Sequence, residues 1–184
     1  FFISCYANAL LDNDFPKTFN AFKTFIKEKQ FDLIGLGFMS HHWDIYVELS
    51  KAIREVLPNC KIIAGGVHAW HVSQSDTLKY CDYICAAEGE ELYVELIDRL
   101  SNKTNTGPLS IPGLIEKYEN KVIHNPVKAY MSLDKIPFPT YGDKQTYSIN
   151  ALNADNPIVL NEDFMVDGHW GFVHIGRGCV FRCT

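Results

Sequence analysis

Apolar runs alternate with helical repeats along the first hundred residues. Four short runs are apolar throughout, as strands buried on both faces are: "FFISCY" (1–6), "DLIGLGFM" (32–39), "KIIAGG" (61–66) and "YICAA" (83–87). Three segments with apolar residues at helical spacing begin at Phe15, Ile45 and Glu90, and a weaker one covers 73–80. This alternation predicts an α/β fold, a doubly wound parallel sheet with helices on both faces.

The pattern changes after Leu100. A Gly-, Ser- and Pro-containing stretch follows, then "GLIEKYENKVIHNP", which predicts two short strands about an Asn turn. We expect irregular structure over 143–168, before a last apolar strand that ends at Cys179. We therefore divide the chain into an α/β domain (1–105), a linker with short strands (106–145) and a further segment that starts a second domain (146–184).

Composition narrows the classes of function. Hydrophobic residues make up 47% of the chain and charged residues 21%, with a net charge of -5 and no Lys/Arg run. These values favour a globular protein and predict no nucleic-acid partner. The longest apolar run is too short to cross a bilayer, and no signal peptide opens the chain. We expect no membrane partner and a cytoplasmic location.

The six cysteines do not form a disulfide pattern. Cys5, Cys60, Cys81 and Cys85 lie in or beside apolar runs, where buried thiols are expected. Cys81 and Cys85 form one C-x3-C pair, and equal parity on a strand would turn both to one face. We interpret this pair as core residues.

The predicted strands place three polar or glycine-rich stretches at their carboxyl ends, where ligands bind in such sheets. These stretches are "SHHW", "GGVHAWH" and "EGEE". Gly65 and Gly66 would let a backbone approach a ligand closely, and a plain tight turn is the alternative. His41, His42, His68 and His71 form a rim with spacing too general to predict a metal site.

A second C-x3-C pair, Cys179 and Cys183, closes the chain in "IGRGCVFRCT". This stretch resembles the opening of the C-x3-C-x2-C cluster loop of radical S-adenosylmethionine (SAM) enzymes, whose third Cys would be expected two positions beyond Thr184. "IIAGGVHAW", "CDYICAAEGEEL" and "LDKIPFPTYG" resemble the cobalamin-binding domain and connector that precede that loop in one branch of the family.

The resemblance implies a cofactor site at the sheet edge and a metal site at the chain end. It makes Ser40, Gly65, Gly66, His68, Glu88 and Gly89 candidate cobalamin contacts, and Cys179 and Cys183 ligands of a 4Fe–4S cluster. Ser40 has another interpretation, since it would otherwise cap a helix that starts at Asp44. The neighbouring Glu90 is not among these candidates and would stabilise a helix N-terminus through the helix dipole.

The resemblance also implies an activity for the full-length protein. A 4Fe–4S cluster would bind SAM and cleave it reductively to methionine and a 5′-deoxyadenosyl radical. Cobalamin would then carry a methyl group where the reaction is methyl transfer. We expect a small-molecule or natural-product substrate and an electron donor of flavodoxin or ferredoxin type. With two of three cluster ligands, residues 1–184 alone are expected to be inactive.

Two other classes of function stay open. The chain also fits a flavodoxin-like module that binds cobalamin or a nucleotide without catalysis. The motif Asp-x-His-x-x-Gly, which follows the first strand in cobalamin domains with an axial histidine, is absent from the sequence. The resemblance therefore implies that the domain 1–105 lacks its first strand and that 146–184 is the truncated start of the radical SAM domain. The chain also fits a zinc-stabilised interaction domain that uses Cys179, Cys183 and His169 or His174. The sequence contains no G-x-S-x-G, P-loop or H-E-x-x-H motif, so hydrolase and NTPase functions have no support.

Overall fold

The computed structural model describes residues 2–4, 15–66, 68–69, 74–102, 107–128, 131–137, 146–148 and 158–160. Its main body is a six-stranded sheet in the order β1-β2-β3-β4-β5-β6. The strands are β1 (Phe2–Ser4), β2 (Leu33–Gly37), β3 (Lys61–Gly65), β4 (Tyr83–Cys85), β5 (Leu114–Tyr118) and β6 (Lys121–His124). A separate antiparallel pair consists of β7 (Thr146–Ser148) and β8 (Ile158–Leu160).

The helices lie where the apolar spacing predicts them. They are α1 (Phe15–Lys29), α2 (Trp43–Val56), the short α3 (Gln74–Thr77) and α4 (Gly89–Ser101). The described helical structure also includes two 3-10 turns, Ser40–His42 and Leu133–Lys135, and the helical residues 68–69. Helix α2 ends two residues before Pro58, which is consistent with the conformational restriction that proline imposes on its predecessor.

The sheet is mixed rather than wholly parallel, which corrects part of the predicted fold. Strands β1 to β4 pair in parallel, as expected from the helical connections. The hairpin β5–β6 is present as predicted, but it joins β4 antiparallel and so extends the same sheet. Its turn residues Glu119 and Asn120 both have positive φ, the geometry of a tight two-residue hairpin turn.

Alternation along the strands divides the core in two. Ile62 and Ala64 face a cluster formed with α1 and α2, whereas Ile63 between them faces a cluster formed with α4. The second cluster includes Leu92 and Leu96, one helical turn apart on the buried side of α4. Helices therefore cover both faces of the parallel strands, as the apolar character of the strands predicted.

One buried carboxylate fastens the segment that precedes β5. The side chain of Glu116 is 3% exposed, and its Oε1 accepts hydrogen bonds from the backbone N–H of Leu109 at 3.0 Å and of Ser110 at 3.3 Å. Asn125 Nδ2 donates to the same oxygen at 3.4 Å. These donors replace the water that the carboxylate loses on burial.

Two sequence interpretations are wrong in detail. Cys81 and Cys85 do not share a face, because Cys81 precedes the strand that starts at Tyr83 and packs in the α1–α2 cluster, while Cys85 packs against α4. The expected irregular segment 143–168 contains β7 and β8. The division into domains stays a prediction, as does the lack of a first strand.

Candidate functional site

Strands β2, β3 and β4 end side by side, and this places three exit segments at one edge of the sheet. Gly37 and Gly65 are paired at the ends of β2 and β3, and the N–H of Phe38 donates to the carbonyl of Gly65 at 3.2 Å. Strand β4 pairs in parallel with Ile63 and Ala64. The residues that follow each strand therefore meet at the carboxyl edge, the usual ligand edge of such sheets.

Gly66 allows two exit segments to approach each other. Its φ is +90°, and a Cβ at this position would lie 2.6 Å from the carbonyl oxygen of Phe38. A Cβ on Gly65 would make ordinary contacts instead, 3.5 Å from the Tyr93 hydroxyl and 3.9 Å from Cys85 Cβ. The structure thus explains Gly66 by a tight turn against the protein's own backbone, while contact with a ligand stays a prediction for both glycines.

The exit segment after β4 leads directly into α4. Glu88 is the N-cap of that helix and makes no side-chain capping hydrogen bond, whereas Glu90 lies in the first turn, where a carboxylate opposes the helix dipole favourably. Gly89 starts the helix, and a Cβ on it would lie 2.9 Å from the ring of Tyr93. The small residue makes room for this ring.

Tyr93 is a residue of this edge that the sequence interpretation missed. Its ring lies against Gly89, and its hydroxyl lies near Gly65. Burial, with a smaller effect from Cys85, raises the pKa of Tyr93, so the phenol stays protonated at neutral pH. The sequence signal was a Tyr four residues after a glycine at a helix start, a pattern that is too common to single out.

Ser40 does not cap the following helix. It is exposed and starts the 3-10 turn, while α2 begins at Trp43 with His42 as its N-cap and no side-chain capping hydrogen bond. The capping interpretation of Ser40 is therefore wrong. Its exposure at the carboxyl edge leaves its hydroxyl accessible for the ligand contact that the resemblance implies, which stays a prediction.

An aromatic cluster lines the inner side of the exits from β2 and β3. Phe38 stacks on Tyr46 with centroids 4.2 Å apart and an interplanar angle of 13°. The ring of His68 lies 5.1 Å from both Phe38 and Trp43. The Tyr46 hydroxyl donates to the carbonyl of Thr77 at 2.9 Å, so this buried phenol has a partner.

The imidazoles of His42 and His68 are buried without hydrogen bonds. Each side chain belongs to a residue that is 6% exposed, and none of their four ring nitrogens has a partner in the part of the chain that the structure describes. Leaving a buried polar group unpaired costs about 1–3 kcal/mol. Burial lowers the pKa of both residues, and the adjacent His41 ring adds to the effect at His42.

The predicted histidine rim is only partly assembled. His41 is exposed, with its ring centroid 3.9 Å from that of His42, and His71 lies outside the described residues. Within the described ranges, no group of three or more His, Cys, Asp or Glu side chains is placed to hold a metal ion. Cys179 and Cys183 also lie outside these ranges, so their role as cluster ligands stays a prediction.

The described thiols behave as core residues. Cys60, Cys81 and Cys85 are buried and free. Burial raises the pKa of Cys81 to about 11 and also raises the pKa values of Cys60 and Cys85. A thiol is the inert form of cysteine, because the thiolate is the nucleophile and the metal ligand. The interpretation of the pair Cys81 and Cys85 as core residues is confirmed.

Comparisons with known proteins give a similarity of fold. No protein-family model matches the chain, and no curated protein sequence matches it. Among solved structures, the chain resembles the radical SAM methyltransferase TsrM from Kitasatospora setae, determined with cobalamin and a [4Fe-4S] cluster bound. The TM-score is 0.51 at 18% identity, over 69% of this chain and 23% of that chain. The two chains share an α/β fold.

Among the helices of the described segments, none combines the length and apolar character needed to cross a lipid bilayer.

Proposed function

We propose that this chain forms the cobalamin-binding α/β part of a radical SAM enzyme. The observation that carries the proposal is the carboxyl edge, where one sheet gathers the exit segments that hold Ser40, Gly66, His68 and Glu88. The similarity of fold to a radical SAM methyltransferase with bound cobalamin adds support. The order of the sequence motifs, from the glycine turn to Cys179 and Cys183, agrees with the same class.

The described residues fit a large, partly apolar ligand with polar groups on its rim. Binding sites for such molecules combine apolar walls with a few convergent polar groups. Phe38 and Trp43 would supply aromatic surface, and the unpaired nitrogens of His42 and His68 would supply hydrogen-bonding groups, once these buried side chains are uncovered. Cobalamin, when bound, would supply the methyl carrier, since cofactors of this kind carry the difficult chemistry.

The chain's own residues would bind and orient the cofactor. A neutral imidazole donates from one ring nitrogen and accepts at the other, so His68 can pair with either an amide N–H or a carbonyl. Ser40 can do the same from its exposed position. The lowered pKa of His68 keeps its imidazole neutral at physiological pH, which preserves both functions.

The radical chemistry would depend on the end of the chain. Cys179 and Cys183 would supply two of the three thiolates that hold a 4Fe–4S cluster, whose open iron binds SAM in this class of enzymes. The substrate, the electron donor and the reaction that follows radical formation belong to the whole protein. We propose methyl transfer as the reaction, on the basis of the fold similarity.

Titration of the 184-residue chain with hydroxocobalamin tests the cobalamin part of the proposal. We expect saturable binding at one equivalent, followed by the visible spectrum of the corrin and by co-elution in gel filtration. A parallel titration with FMN tests the alternative of a flavodoxin-like nucleotide module. Binding of FMN without binding of hydroxocobalamin would favour that alternative and contradict the proposal.

A further inference from the structure

Two imidazoles without partners lie on two different exit segments of the same sheet edge. His42 belongs to the 3-10 turn after β2, and His68 follows Gly66 at the end of β3. Both belong to residues that are 6% exposed. The ring of His68 is held between Phe38 and Trp43, while the ring of His42 lies against that of His41.

Other buried polar side chains of the described fold have partners, with one exception. The Tyr46 hydroxyl donates to Thr77, and the carboxylate of Glu116 accepts from Leu109 and Ser110. The exception in the described segments is Ser50 Oγ, two turns into α2. Because most buried polar groups in proteins are hydrogen-bonded, two unpaired imidazoles at one ligand edge need a specific explanation.

We propose that His42 and His68 are ligand-binding imidazoles that the free protein keeps covered and that cobalamin uncovers. This inference rests on the proposed function and extends it, since it adds His42 to the site and gives both residues a common role. The ligand's peripheral amides would provide the partners that the fold itself does not. Binding would replace the Phe38–His68 and Trp43–His68 contacts.

The inference predicts that replacing either histidine stabilises the free protein and weakens ligand binding. An unpaired buried imidazole destabilises the free protein, so an apolar side chain of similar volume should stabilise it. The same change removes a hydrogen-bonding group from the bound state and should weaken binding. A histidine with a purely structural role would show the opposite sign in the first measurement, because its loss would destabilise the fold.

The experiment compares His42→Leu and His68→Leu in the 184-residue chain, with His124→Leu as control. His124 lies exposed on β6, so the same exchange there removes an imidazole that already contacts solvent. Urea unfolding gives the midpoint, and hydroxocobalamin titration gives the Kd. We expect a higher midpoint and a Kd weakened by about threefold to tenfold for each edge variant, the effect of one neutral hydrogen bond.

A further variant separates packing from hydrogen bonding. His68→Gln keeps a donor and an acceptor and should bind hydroxocobalamin more tightly than His68→Leu. Lower midpoints for both leucine variants, or unchanged Kd values, would overturn the inference and leave the proposed function intact. Failure of the wild-type chain to bind hydroxocobalamin would overturn both, so the two failures are distinguishable.

Discussion

The carbonyl oxygen of Phe38 lies 2.6 Å from the place that a Cβ on Gly66 would occupy. Both groups belong to backbone, so neither can move aside without displacing a strand end. The positive φ of Gly66 adds a second obstacle to any L side chain. This contact makes Gly66 the residue at which the exits from β2 and β3 fit together.

Gly66→Ala should therefore lower the free energy of unfolding by about 1–3 kcal/mol, as a side chain in a strained backbone region does. Urea denaturation measures the change. Gly65→Ala is the matched control, since its Cβ would make only ordinary contacts of 3.5 and 3.9 Å. Equal losses in the two variants would show that the contact with Phe38 is not what makes Gly66 necessary.

Glu116→Gln should destabilise the fold by about 1–3 kcal/mol, because an amide replaces the carboxylate that accepts from Leu109 and Ser110. The NH2 group of the glutamine would replace one carboxylate oxygen and would face backbone N–H groups, which are also donors. Glu119→Gln is the control, as Glu119 lies exposed in the β5–β6 turn. Thermal unfolding of both variants measures the difference, and a stability of Glu116→Gln equal to that of Glu119→Gln would argue against this role for the carboxylate.

Stability should fall in mild acid. Burial lowers the pKa values of His42 and His68 from the ordinary 6.5. Below about pH 6.5 the unfolded chain then binds more protons than the folded one. Protonation of these two groups therefore costs no stability above that pH, and the free energy of unfolding falls as the pH drops from 6.5 through the lowered pKa values. The adjacent His41 ring adds to the lowering of the His42 pKa.

Free energies of unfolding at pH 8 and pH 5.5 measure this loss. The double variant His42→Leu/His68→Leu should lose less stability over the same interval, because the two groups that must be protonated on unfolding are absent. The remaining loss reports on other titrating groups. An equal loss in the wild type and the double variant would contradict the assignment to these two histidines.

Three cysteines should resist alkylation in the folded chain. Burial of Cys60, Cys81 and Cys85 and their raised pKa values leave little accessible thiolate at pH 7.5. Iodoacetamide labelling followed by peptide mass mapping should show slow modification at these positions and rapid modification in urea. Rapid labelling of Cys81 in the native protein would show that the α1–α2 core opens readily.

The same burial bears on iron–sulfur binding. Anaerobic reconstitution of the 184-residue polypeptide should give no stable 4Fe–4S absorption band. Cys179 and Cys183 would supply two thiolates, and the buried thiols of Cys60, Cys81 and Cys85 are not accessible as the third ligand. Iron and sulfide analysis measures the outcome. A stoichiometric cubane would contradict this expectation and would locate a further ligand within these residues.

Local patterns predicted most of the fold. Phe19, Phe22 and Ile26 at helical spacing gave α1, and the apolar run around Ile62 gave β3, because burial of a stripe or of both faces leaves a direct trace in the sequence. The direction of β5 left no such trace. The turn residues of a hairpin are the same whether the hairpin is isolated or forms part of a larger sheet. The pairing of β5 with β4 therefore depends on tertiary contacts.

The sequence predicted which strand ends form the candidate site, but it did not predict which side chains there are buried or what they contact. Gly66 and His68 followed from the rule that ligands bind at carboxyl edges. The burial of His42 and its lack of partners could not be read from "SHHW", because the neighbouring His41 is the same residue type and is exposed. Tyr93 reaches the edge because its ring packs against Gly89 and its hydroxyl lies near Gly65.

Two reversals of direction, at β5 and again at β6, return the chain to the side from which it left β4. Ile84 pairs with Ile115, which pairs with His124, so the last residue of the sheet lies level with the end of β4. Asn125 then exchanges backbone hydrogen bonds with Gly113 and Leu114. The β5–β6 hairpin thus brings the polypeptide back to the carboxyl edge, so that it leaves the sheet at the same edge as the exits from β2, β3 and β4.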